Sequence, residues 1–152
     1  MHSDIFVISD VCNYRISNIE IREDSNFWNY GDYVGHEVFD TDKPFSEFTK
    51  LLCEYSRYIQ IDTKNHSFIL ESGYQAETFQ KILGQVTSYI DNIDQTAFAT
   101  NSTQADYFER YVWEGEPILV WFDGRIMKLA SAIRLMKPLQ EYFVKQIFDY
   151  HL

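Results

Sequence analysis

Cysteine is scarce in this 152-residue chain, with only Cys12 and Cys53, far apart in sequence. Two such residues cannot build the multi-bridge framework of a small secreted domain, so a reducing, cytoplasmic setting is expected. Cys12 is placed at the end of a first strand and Cys53 as a small, semi-buried packing residue on a helix. Glycine is equally thin: six residues, each standing alone, leave no Gly-x-Gly-x-x-Gly or Walker phosphate loop and so no marked nucleotide site. The Gly-x-Ser-x-Gly elbow is missing, and neither cysteine stands in a protease context. No apolar run approaches the length of a membrane span, and the opening MHSDIFVISD lacks the basic start and apolar stretch of a secretory signal. Bases are few, 13 against 23 acids, and the net charge of −10 repels nucleic acid and anionic lipid. A binder without cofactor, with neither nucleic acid nor membrane as partner, is the expectation, and an enzyme is not.

What is present is a chain of single-domain size, 1–152, with 45% hydrophobic and 17% aromatic residues. That suffices to bury a core without disulfides or metal. Ile5 to Ile8 form a compact, β-branched run, and Ile19 and Ile21 alternate with charged neighbours, so both segments read as strands. Thr41 or Asp42 can cap a helix opened by Pro44, whose buried face is Phe45, Phe48, Leu51, Leu52 and Tyr55. Ile59 and Ile61 alternate with polar neighbours, and Phe68 to Leu70 follow a polar turn, as in a hairpin. Ser72 and Gln75 stand at capping-box spacing before a helix lined by Ala76, Phe79, Ile82, Leu83, Val86, Tyr89, Ile90 and Ile93. Gly84 inside that helix is read as allowing close packing. The polar run 94–104 reads as a loop, and Thr103 as the cap of a brief helix through Tyr111.

Asp123-Gly124 between the apolar runs Ile118–Phe122 and Arg125–Leu129 is a strong signal for a type I′ hairpin, since both residues tolerate positive φ. Pro138 is taken to open a last helix with Leu139, Tyr142, Phe143, Ile147 and Tyr150 on its apolar face. The fold class expected is α+β: a mostly antiparallel sheet, with the Ile118–Leu129 hairpin in its C-terminal half, packed against about three helices.

The charge is unevenly placed. Residues 1–47 hold 10 acids and 3 bases, which accounts for −7 of the −10. Within them, residues 20–42 thread Glu23, Asp24, Asp32, Glu37, Asp40 and Asp42 among Phe27, Trp28, Tyr30, Tyr33, Val38 and Phe39. An anionic and aromatic surface suits a basic partner: carboxylates pair with lysine and arginine, and Trp28, Tyr30 and Tyr33 supply rigid anchors with polar tips. The partner-binding set is therefore Glu23, Asp24, Trp28, Tyr30, Asp32, Tyr33, Glu37, Asp40 and Asp42. The bland counter-reading makes Phe27, Trp28 and Phe39 core residues of an edge strand and the acids its wet face. His36 and Asp40 have the four-residue spacing of a helical metal pair, yet the second histidine is missing, and Gly31 and Gly35 argue for a turn or strand.

An acidic, aromatic-rich α+β domain without catalytic motifs resembles the immunity proteins of bacterial polymorphic toxins, including those of contact-dependent growth inhibition systems. The likeness lies in overall character and carries no site residues. It implies a stoichiometric inhibitor, in the cytoplasm, of a cognate basic toxin, often a nuclease, with carboxylates standing in for phosphates. Two alternatives stay open. One is a nucleic-acid-mimicking antagonist of a DNA- or RNA-binding protein, against which the five bases and two acids of residues 125–152 weigh mildly. The other is a small enzyme of a family without short motifs, metal-dependent through His36 and Asp40.

Overall fold

The computed structural model describes residues 2–24, 33–92 and 118–151. In chain order its elements are β1 (His2–Ser9), α1 (Asn18–Glu23), β2 (Tyr33–Glu37), α2 (Asp42–Tyr55), β3 (Ile59–Asp62), β4 (Ser67–Leu70), α3 (Tyr74–Asn92), β5 (Leu119–Phe122), β6 (Arg125–Lys128), α4 (Leu129–Leu135) and β7 (Glu141–His151). The seven strands make one α+β sheet, ordered β3-β4-β7-β1-β5-β6, with β2 also on β7. Every pairing is antiparallel except β1 with β5. Along one edge of β7, β4 pairs with residues 141–143 and β2 with residues 148–151. Between them, Val144 donates its amide to the His66 carbonyl at 2.8 Å, and the Ile147 carbonyl accepts from Val38 at 2.8 Å.

The segment from Glu141 is thus a strand through the middle of the sheet, not the helix expected after Pro138. The reason is a bulge. Val7 pairs with Gln146 and Ile8 with Val144, so Lys145 is the extra residue and the side-chain phase shifts there. Tyr142, Val144 and Ile147 consequently share one face, while Phe148 and Tyr150 lie on the other. Burial on both faces combined with a phase shift reproduces the three-to-four spacing of a helix.

Helices cover both faces. On the first, Phe45, Phe48 and Leu52 of α2, Tyr74 of α3, and Leu129, Ala132 and Ile133 of α4 pack on Phe6, Ile8, Phe68, Val120 and their neighbours. Phe48 stacks on Phe6 at 4.6 Å between ring centroids. Tyr74 is buried with its hydroxyl donating to the Leu52 carbonyl at 2.7 Å, and that burial pushes the phenol far above its usual pKa. On the second face, Ile16 and Ile21 of the α1 region and Val34 of β2 pack on Ile5, Val7, Leu119, Trp121 and Ile126.

Further expectations are corrected. Ile19 and Ile21 belong to α1, not a strand: Ser17 and Glu20 form a reciprocal capping box, and Ile21 is buried while Ile19 is exposed. Ser72 and Gln75 are not a capping box around the start of α3; Gln75 instead donates to the carbonyls of Ile133 and Met136, at 3.0 Å each, tying α3 to the end of α4. The buried face of α3 runs through Tyr74 and Thr78, leaving Ala76, Phe79 and Leu83 exposed. Nothing lies within 4 Å of a Cβ built on Gly84, so no close packing requires that glycine. Cys53 is exposed, not semi-buried, and Cys12 lies beyond the end of β1. The loop 94–104 and the brief helix from Thr103 lie outside the described residues.

The hairpins hold. Asp123 and Gly124 take φ of 53° and 75° between β5 and β6, as the I′ turn requires. β3 and β4 pair from Ile59 with Leu70 to Asp62 with Ser67. α2 starts at Asp42 with Thr41 as N-cap, two residues before Pro44.

Candidate functional site

The acidic segment divides into carboxylates that serve the fold and carboxylates that face solvent. Asp24 closes α1 and accepts the Ile126 amide at 2.8 Å. With Leu129 donating to Ile118, the β5 to β6 register turns the Ile126 N–H away from β5, toward the open edge. Asp24 therefore blunts an edge strand that would otherwise offer a free donor.

Glu37 ends β2, where one oxygen takes the Arg15 guanidinium and the other accepts from the Gln146 amide at 3.0 Å. Gln146 is buried and also holds Ile16, accepting from its N–H at 2.9 Å and donating to its carbonyl at 3.0 Å. Glu37 is thus tied into the anchorage of the 10–17 segment.

Glu23, Asp40 and Asp42 are exposed. Asp40 accepts the Asp42 amide at 3.3 Å, and Asp42, in the first turn of α2, favours the positive end of the helix dipole. Between β2 and α2 stands Phe39, 95% exposed and hence not the core residue of the counter-reading. Its position is held from one side by the Val38 bond to β7 and from the other by the start of α2. Tyr33 opens β2; its side chain, like Trp28, Tyr30 and Asp32, lies outside the described residues.

His36 and Asp40 do not share a helix: His36 is on β2 and Asp40 in the bend after it. The His36 amide donates to Asp149 Oδ1 at 2.7 Å, and its Nδ1 lies 3.7 Å from the same oxygen. This approach needs Gly35, because a Cβ there would sit 2.0 Å from Asp149 Oδ1. Across the ladder Asp149 faces Asp4. Burial first, then repulsion from Asp149 and Glu47, raises the Asp4 carboxyl above the usual carboxylate range. Among the described residues no three His, Cys, Asp or Glu side chains converge to hold a metal ion.

A second cluster had no signal in the sequence. His66, at φ 47° in the β3–β4 turn, stacks on Phe45 at 4.7 Å between centroids. Its Nε2 pairs with Asp42 at 2.8 Å and its Nδ1 with Thr41 Oγ1 at 3.3 Å, beside a cavity of about 310 Å³. Thr41 makes no side-chain cap to α2 and serves this histidine. The arrangement clamps the turn to the helix start and presents Asp42, 88% exposed, at the surface three residues after Phe39.

Of the predicted set, Asp40 and Asp42 are exposed in the same bend as the bare Phe39 ring and joined by the Asp42 amide, Glu23 stands apart on α1, and Asp24 and Glu37 are turned to structural duty. The bend from Val38 to Asp42 is therefore the candidate recognition surface. No protein-family model, curated protein or solved structure matches the chain.

Proposed function

We propose that the chain is an acidic protein-binding module, and that it acts as an immunity protein, neutralising a cognate basic toxin in the cytoplasm by stoichiometric binding. The observation that carries this reading is Phe39, an almost fully exposed ring followed in the same bend by the exposed Asp40 and Asp42. A lone ring in water contributes nothing to the core, whereas at an interface it buries large apolar area with few rotatable bonds. The chain's net charge of −10 accelerates encounter with a cationic surface. The ring then slows release.

The nucleic-acid-mimic alternative asks for carboxylates in a long exposed row, and the inward duties of Asp24 and Glu37 weigh against it. The enzyme alternative rested on His36 and Asp40, and the contact of His36 with Asp149 gives that pair no support.

The test is co-expression with the product of the adjacent gene, followed by titration calorimetry of the purified pair at low and high salt. Protection of the host, a one-to-one complex, affinity that falls with salt, and a loss of at least tenfold in Phe39→Ala are expected. Binding unchanged by salt and by Phe39→Ala would refute the assignment of this surface.

A further inference from the structure

β1 and β5 pair in parallel, so the loops that follow both strands leave the sheet at the same end. The parallel register ends at Val7 with Trp121, and beyond it Ser9 and the turn residue Asp123 line the same space. At that end lies a concave cavity of about 470 Å³, within the range of small-ligand sites. Its lining residues include Tyr14, Trp121 and Phe122 and the charged residues Asp10, Asp123 and Lys137. The Trp121 indole is held by its N–H, which donates to the Tyr14 hydroxyl at 3.4 Å, so two of the rings are fixed relative to each other. By contrast, the side-chain charges of Asp10, Asp123 and Lys137 have no hydrogen-bond or ion-pair partner among the described residues.

We propose that this cavity binds a compact organic monocation, a guanidinium or ammonium group on a short stem. The half-buried rings of Tyr14 and Phe122 give it apolar contact, with Trp121 buried in the core behind Tyr14, and the two carboxylates supply charge and acceptors. Lys137 sets the valence: two acids and one base leave the lining at −1, which suits one positive charge and disfavours a polyamine. The site is separate from the Val38 to Asp42 bend and stands whether or not the toxin reading holds. A free small molecule and an arginine side chain of a partner offer this same chemistry.

The experiment is an NMR titration of the full chain with N-acetylargininamide, using the neutral N-acetylcitrullinamide at equal ionic strength as control. Saturable shifts at the Trp121 indole N–H and the Gly124 amide are expected, with the citrulline compound at least tenfold weaker. The double variant Asp10→Asn, Asp123→Asn should weaken binding at least tenfold. Asn tolerates the positive φ of position 123, so the turn survives and the rest of the spectrum stays native. Lys137→Gln should bind more tightly. Equal binding of the charged and neutral compounds, shifts confined elsewhere, an unaffected double variant, or no binding at all would each overturn the proposal. A short acetylated Gly-Ser-Arg-Ser-Gly peptide separates the two sources. Affinity matching the free compound assigns the cavity to a protein side chain, and a drop of more than tenfold assigns it to a small molecule.

Discussion

Asp4 illustrates what a single side chain costs and why it is tolerated. It lies opposite Asp149 on adjacent strands, half out of water, and its carboxyl is raised above the ordinary 3.8 by burial and then by its acidic neighbours. The folded chain therefore holds that proton to a higher pH than the unfolded chain. The stability linked to this group is full below about 3.8 and is lost as the pH rises through the folded value. Asp4→Asn cannot ionise, so it should raise the urea midpoint at pH 7, and the gain over the parent should shrink as the pH falls toward 4. A gain that is the same at both pH values would locate the effect in packing. Asp149, in turn, is kept where it is by the His36 amide and by the missing side chain of Gly35.

Elements are joined here by side chains that satisfy the ends of their neighbours. Glu77, in the first turn of α3, accepts from the Ser56 hydroxyl at 2.5 Å and the Arg57 amide at 3.0 Å, holding the exit from α2. The Ser56 hydroxyl first, then the Arg57 amide, lowers the Glu77 carboxyl below its usual value of 4.5. Its contribution is thus present above 4.5 and lost as the pH falls through the lowered folded value. Glu77→Gln should destabilise at pH 7 and differ progressively less from the parent in acid, read by denaturant midpoints across pH. α3 itself carries an avoidable weakness. Gly84 lies inside the helix with open space where a Cβ would go. Gly84→Ala should stabilise by about 0.5–1 kcal/mol, because alanine loses less backbone freedom on folding. A loss of stability in thermal unfolding would reveal a contact at that face.

For the molecule as a whole, Gln146 is the tie between the sheet and the layer on its second face. It is buried on β7 and meets both backbone groups of Ile16 as well as Glu37. Gln146→Leu keeps the bulk but strands those partners, at about 1–3 kcal/mol for each buried group left unpaired. A loss of about 2–5 kcal/mol in urea unfolding is expected. Freed of that anchor, the 10–17 segment should exchange its amides faster, while those of the β3–β4 hairpin stay protected.

Some of this architecture was written locally. The Asp123-Gly124 turn needs only two residues able to take positive φ, and both hairpins and α2 appear where turn chemistry and apolar spacing place them. The capping box of α1 was equally legible, since Ser17 and Glu20 stand three apart, and the alternation of Ile19 with Ile21 masked it. The acidic excess of the first third is likewise a property of the chain itself. Other features were decided by contacts between distant residues. β7 is a strand because β1, β2 and β4 bond to it and because cores on both faces claim its side chains, a double burial that periodicity cannot separate from a helix. Whether an acid meets solvent or an amide was settled the same way: Asp24 reaches Ile126 and Glu37 reaches Gln146, each more than 100 positions along the chain. Local sterics and charge need only neighbours in sequence, whereas burial and hydrogen-bond satisfaction depend on which segments the folded sheet brings side by side.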